Sequence, residues 1–119
     1  MEATPYNWTD IQEDNPAPLL FRRMIQGQNA LVANIQLKKG CFVPVHSHTN
    51  EQIAVILEGK VKWTIGPEGS EKEVEMSGGE FLLIPPNARH GLVALEDTHV
   101  MDVLSPVGPM GVDAMAKTD

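Results

Sequence analysis

The chain is 119 residues long, 42% hydrophobic and 21% charged, with a formal net charge of −7. That length makes one domain with a single core; the charge excludes the global basicity behind non-specific nucleic-acid binding and disfavours an anionic membrane surface. One cysteine, Cys41, excludes an intrachain disulfide and points to a reducing compartment.

No apolar run approaches the ~20 residues of a membrane helix, and the acid and proline of Met1-Glu2-Ala3-Thr4-Pro5 are not those of a signal peptide. A cytoplasmic location is therefore expected. Nine prolines and ten glycines favour short elements and frequent turns over long helices. Residues 1–18 carry Pro5, Pro16 and Pro18 without helical or strand period and are expected to form an extended arm. Tyr6 and Trp8 in that arm need something to pack on, the barrel exterior or a partner subunit. Residues 19–25 read as a first strand, and Gln26-Gly27-Gln28-Asn29 as a turn. Residues 30–38 alternate, with Leu31, Ala33, Ile35 and Leu37 on one face and Asn34, Gln36 and Lys38 on the other, the pattern of a half-buried strand.

Lys39-Gly40 turns the chain into strands at 41–45 and 52–57; the second is almost continuously apolar, as a strand covered on both faces would be. Residues 60–65 alternate, Gly66-Pro67-Glu68-Gly69 closes a hairpin, and 71–76 read as a polar, exposed strand. The strand 80–84 ends at Pro85-Pro86-Asn87, since proline cannot donate to a ladder. Residues 90–95 and 98–104 form a last hairpin around Glu96-Asp97. From Ser105 onward glycine, proline and methionine dominate, and a loose tail or an arm laid on another subunit is expected. Many short strands with regular turn signals and no 3.6-residue period make the fold all-β, a sandwich or barrel over 19–105 between an N-terminal arm (1–18) and a C-terminal tail (106–119).

Three of the four histidines fall in two segments. His46 and His48 are two apart, so in an extended strand both imidazoles leave one face and can point at one spot. Gln52 follows four residues later with an amide oxygen as a third donor, and His90 arrives as a fourth. This is the pattern of a metal site. His99 reads as a strand-face histidine, Cys41 as a small buried hydrophobe, and Arg89 as an exposed loop residue or a carboxylate clamp. Glu51 points away from Gln52 by parity.

The spacings resemble those of the cupin superfamily. Gly40, five residues, His46-Ser47-His48, three residues, Gln52, six residues and Gly59 match its first motif at every spacing; Gly79, five residues, Pro85-Pro86-Asn87, two residues and His90 match most of the second. Gln52 stands where the family usually has glutamate, Asn87 where it has glycine, and Ala94 where it has asparagine. The resemblance implies a double-stranded β-helix, a jelly-roll-like barrel, with His46, His48, Gln52 and His90 as ligands of one divalent transition metal. A nitrogen and oxygen donor set without thiolate suits Mn, Fe, Co, Ni, Cu or Zn. Three imidazoles and an amide are neutral, so the ion would keep its full +2 charge and act more strongly on an anionic ligand.

Within that superfamily the His-x-His-x3-Gln pattern, the 84–97 segment and the Asp102-Val103-Leu104-Ser105-Pro106 end are similar to small single-domain cupins of pectin breakdown, which act on unsaturated uronates. The resemblance implies a proton-transfer role for Asp102, an isomerase or lyase acting on a small anionic, sugar-acid-like substrate, and a homodimer. An arginine expected shortly after the Ser-Pro is absent, since Val107-Gly108-Pro109-Met110 follows. A metal-dependent dioxygenase and a non-catalytic metal- or ligand-binding module are alternative readings that the same barrel supports. Phe42, Ile53 or Val55 are the apolar groups expected at the barrel mouth.

Overall fold

A computed structural model describes residues 2–115. Ten strands alternate along the chain: β1 (Asp14–Ala17), β2 (Leu20–Gln26), β3 (Leu31–Leu37), β4 (Phe42–His46), β5 (Glu51–Glu58), β6 (Lys60–Ile65), β7 (Lys72–Ser77), β8 (Phe81–Ile84), β9 (His90–Ala94) and β10 (Thr98–Ser105). A 3-10 turn at Trp8–Asp10 precedes them and a short helix, α1 (Gly111–Met115), follows. They form a six-stranded sheet in the order β1-β2-β3-β10-β5-β8 and a four-stranded sheet in the order β4-β9-β6-β7, with adjacent strands antiparallel. The fold is all-β, two sheets closed on each other as a jelly-roll barrel.

The core lies between the sheets. In β3 the alternation works as written: Leu31, Ala33, Ile35 and Leu37 are buried, while Val32, Asn34 and Gln36 face outward. Val61 and Trp63 of β6, in the other sheet, and Ala54 and Ile56 of β5 belong to the same buried cluster. Side-chain alternation and burial agree because each sheet buries one face.

Four expectations are revised. β5 is not covered on both faces: Ile53 and Val55 are half-buried and Leu57 is exposed. They belong to an outer face on which Leu83, Ile53, Val103, Val32 and Ile25 stand in one row across five strands. Phe42, Ile53 and Val55 therefore do not line the mouth; Phe42 is 65% exposed on the outside of β4.

The stretch expected as an arm contains β1, which can carry Pro16 because it is an edge strand. The stretch after Ser105 is not loose where it is described. Met110 and Val112 are buried among the core residues, and Asp113 meets Arg22. Arg22 itself is 4% exposed and bonded to Asp14 and Asp113. Residues 116–119 lie outside the described residues.

Candidate metal centre

Strict alternation from Phe42 would carry Pro44 and His46 to the outer face. The register prevents this. Val43 pairs with Leu92 and His46 with His90, so Pro44 and Val45 together oppose Gly91 alone. That is a β-bulge, and it switches the face on which β4 presents its side chains. Val43 and His46 both line the interior, beside His90 on the neighbouring strand. The bulge fits only because residue 91 is glycine: a Cβ there would lie 2.8 Å from Val43 O and 2.8 Å from Val45 N. His48 stands beyond the end of β4, in the loop to β5.

Ring centroids lie 5.7 Å apart for His46 and His48, 4.4 Å for His46 and His90, and 5.0 Å for His48 and His90. One nitrogen from each ring falls within 4.8 Å of the other two. Small ring rotations close that span onto one ion bonded at about 2.1 Å.

The tautomers are set by the backbone. Nδ1 of His46 reaches Pro44 O at 2.8 Å, Nδ1 of His48 reaches Asn50 O at 3.0 Å, and Nδ1 of His90 reaches Ala88 O at 2.9 Å. A neutral imidazole has one N–H to give, and each gives it there. All three Nε2 atoms are left as lone-pair donors, the arrangement that orients metal-ligating histidines. His90 Nε2 is buried without a hydrogen-bond partner among the described residues. His48 Nε2 sits 3.0 Å from Gln52 Oε1. With Nδ1–H already donated, two lone pairs face each other there, which a cation bound by both would resolve. The residues present fit a divalent ion.

Gln52, on β5, is buried, and its side chain also hydrogen-bonds Asp102. Asp102 lies on β10 opposite Ala54, a diagonal neighbour of Gln52. The amide thus has distinct ends: Oε1 faces His48, and its N–H group is the one that can donate to the Asp102 carboxylate. Burial pushes the Asp102 carboxyl up to about 7, against a smaller lowering from Gln52. Burial lowers His90 to about 4, partly opposed by the Ala88 carbonyl, and lowers His46 as well. Among the described residues, Asp102 Oδ1 and the Trp63 indole Nε1, like His90 Nε2, are buried without partners.

His46, Gln52, Trp63, His90 and Asp102 border an interior chamber of about 50 Å³, walled by hydrocarbon from Leu37, Val43, Leu92 and Val100 and capped by Met110, Gly111 and Val112. Sequence reasoning brought His46, His48, Gln52, His90 and Asp102 to one place and missed Trp63 and the 110–112 cap. Trp63 reads in sequence as an ordinary core aromatic. The cap had no strand period to mark it. Among the other residues weighed, Cys41 is buried, Arg89 pairs with Glu71 and Gly66 O rather than facing the chamber, and His99 Nε2 contacts Asn34 Oδ1 on the outer face.

A two-sheet β barrel with a converged histidine cluster at the end of its second sheet is the class that fold and site define. A cupin domain model matches residues 34–105, more than half of the chain, and the protein belongs to that family. The solved structure of KdgF from a Halomonas species is 23% identical, with a TM-score of 0.73 over 84% of this chain and 92% of the other. An RmlC-like cupin from Shewanella frigidimarina is 22% identical, with a TM-score of 0.75 over 90% and 93%. Oxalate decarboxylase from Bacillus subtilis superposes with a TM-score of 0.76 at 19% identity, over 92% of this chain and 32% of that one. These likenesses show the fold. Acireductone dioxygenases of Bacillus anthracis and Bacillus cereus are 30% identical over 63 residues, 52% of this chain, which spans 37% of the length of those relatives.

Proposed function

We propose that the protein is a metal-dependent enzyme of isomerase or lyase type acting on a small anionic, sugar-acid-like substrate, with His46, His48, Gln52 and His90 as ligands and Asp102 as the proton carrier. The observation that carries this reading is the tautomer pattern. Three Nδ1 atoms are committed to backbone carbonyls, so three Nε2 lone pairs converge, one of them buried and unpartnered.

A divalent metal on neutral donors would supply Lewis acidity toward a carboxylate or enolate oxygen. The chain's own part is orientation and proton movement. Gln52 is held by Asp102, which fixes its oxygen toward His48. Asp102, with its carboxyl near neutrality, can take or give a proton at the working pH of an ordinary enzyme. The hydrocarbon walls keep water from competing for that proton.

A homodimer of a cytoplasmic protein completes the proposal. The apolar row on the outer face of the six-stranded sheet supports the dimer, because a contiguous apolar face of that breadth marks an association surface.

Metal analysis of protein purified without a histidine tag, followed by assays on unsaturated uronates in air and under anaerobic conditions, tests the reading. The expected result is a stoichiometric transition metal and turnover indifferent to oxygen. Protein that binds no divalent metal would overturn it. The local likeness to acireductone dioxygenases favours a second reading, a dioxygenase, and turnover that requires oxygen would establish that one instead.

A further inference from the structure

β8 is an edge strand of the six-stranded sheet and β7 an edge strand of the four-stranded one, and a second, open pocket of about 460 Å³ spans the cleft between these edges. Its floor is hydrocarbon from Ile65, Leu82, Ile84 and Ala88, which belong to the core or pack against it. The turn after β6 and the 85–89 loop before β9 form its sides and are bonded to each other. Gly66 N–H donates to Arg89 O at 3.3 Å, and Arg89 Nη1 donates to Gly66 O at 3.2 Å. The 85–89 loop is tied in turn to the candidate ligand loop, since Asn87 N–H donates to His48 O at 2.8 Å. Among the residues lining the two spaces, His90 alone borders both this pocket and the interior chamber.

The pocket's charge is opposite to that of the chain. Acids outnumber bases 16 to 9 in the sequence, yet the charged residues lining the pocket are Lys72 and Arg89, both cationic. Glu71 meets Arg89 Nη1 at 3.1 Å and offsets one of them. Among the described residues both side-chain bonds of Arg89 run from Nη1, which leaves its Nε and Nη2 hydrogens for a ligand. The next acids along β7, Glu73 and Glu75, pair with Lys62 and Lys60 rather than with Lys72. Lys72 is exposed and, among the described residues, forms no ion pair. The interior chamber of about 50 Å³ is too small for a sugar-sized ligand. The outer pocket falls inside the ~300–1,000 Å³ range of small-molecule sites.

We propose that the outer pocket binds the body of a small carboxylate ligand, with Lys72 and Arg89 holding the carboxylate and His90 marking the side next to the metal cluster. The apolar floor takes the carbon skeleton, and the two cations select an acid over its neutral counterpart. The inference rests on the metal reading above for what happens to the ligand, but not for where its carboxylate sits.

The test uses full-length protein, Zn(II)-loaded and chelator-treated in parallel, and two probes that differ in the carboxylate, galacturonate and galactose. Binding is followed by NMR at the backbone amides of Gly66 and Ala88 in the pocket wall, and of Val43 and Leu92 in the chamber wall. Galacturonate is expected to bind the parent about tenfold more tightly than galactose, with the larger shifts at Gly66 and Ala88. Lys72→Gln is expected to weaken galacturonate about fivefold, the size an exposed charge contact supports, and to leave galactose within about twofold. Lys72→Arg keeps the charge and should hold galacturonate within about threefold of the parent. Lys72 is exposed on an edge strand, so neither variant disturbs the core. Equal affinity of the parent for both probes would overturn the proposal. So would an equal loss of both in Lys72→Gln, no loss of either, or shifts confined to Val43 and Leu92. If Zn(II) does not bind, the metal reading fails, and the same comparison in chelator-treated protein decides the pocket by itself. There, the absence of a saturable galacturonate shift at Gly66 and Ala88 would overturn it.

Discussion

Gly91→Ala probes the link between fold and site directly. The new methyl would stand 2.8 Å from Val43 O, 2.8 Å from Val45 N and 3.0 Å from Pro44 C. All three are backbone atoms of the bulge, so no side chain can swing aside. Relief requires β4 to move off β9 by roughly half an ångström or more, and overpacking of this kind costs about 1–3 kcal/mol. With an unfolding entropy of about 2.1 cal/mol/K per residue, that corresponds to a fall in Tm of roughly 4–12 °C for a chain of this size. His46 rides on the bulged strand and pairs with His90 across the gap, so the same movement should separate two candidate ligands. A loss of about tenfold or more in metal affinity is expected, from ligands displaced beyond their bonding radius. Calorimetric unfolding with chelator gives the first number; the rise in Tm with added metal gives the second, through its dependence on ligand concentration over Kd. Gly27→Ala, whose Cβ would make an ordinary 3.5 Å contact with Ala30 O, serves as control and should stay within about 1 kcal/mol of the parent. An unchanged Tm would refute the packing argument. A lowered Tm with unchanged metal affinity would refute the claim that the bulge places His46.

Gln52→Glu is expected to bind metal more tightly and to turn over an anionic substrate more slowly, because a carboxylate cancels part of the ion's charge. The affinity gain should stay modest, since glutamate cannot donate to Asp102 as the amide does; unchanged binding and kinetics would remove Gln52 from the ligand set. Val103→Glu, in the middle of the outer apolar row, is expected to turn a dimer into a monomer in analytical ultracentrifugation with little change in Tm; a dimer that persists would move the interface elsewhere. Metal affinity should fall as pH drops to the acid side, because binding needs neutral rings. The sign follows from burial, which lowers His46 and brings His90 to about 4, so protons compete at these rings only on the acid side. Affinity that falls as pH rises through neutrality would contradict it.

Most of the barrel was legible because its strands bury one face each. Wherever alternation is clean, as in β3 and β6, the sequence period and the observed burial coincide. The almost continuously apolar 52–57 run misled because apolar residues on the outer face of a sheet read in sequence like core: Ile53 and Val55 are half-buried there rather than covered. The strand β1 was hidden by Pro16, which rules out a central strand but not an edge. The candidate ligands were found from spacing, yet the orientation of His46 was not. Parity from Phe42 points it outward, and nothing in Pro44-Val45 announces the extra residue opposite Gly91. The sign of that bulge lies in a residue 46 positions away, in the missing side chain of a glycine. The 110–112 cap was invisible for a related reason: Met110 and Val112 have no periodic neighbours, and the adjoining Asp113 is met by Arg22 from the other end of the chain.

Gln52 and Asp102 are better understood together than apart. A glutamate at position 52 would place a second carboxylate against a buried one, and like charges at that range in an apolar chamber cannot both ionise. Glutamine avoids this by giving a hydrogen to Asp102 and presenting an oxygen to His48. The departure from the usual cupin ligand set is therefore coupled to an acid on the adjacent strand. It leaves the cluster neutral and keeps the carboxyl of Asp102 near the pH at which it can exchange a proton. A substitution at either position should alter the other's behaviour, so the effects of Gln52→Glu and Asp102→Asn on metal affinity are expected to be non-additive, by about 1 kcal/mol or more in a double-mutant cycle. Additive effects would mean that the two side chains do not act on each other, and the choice of glutamine would have no explanation in Asp102.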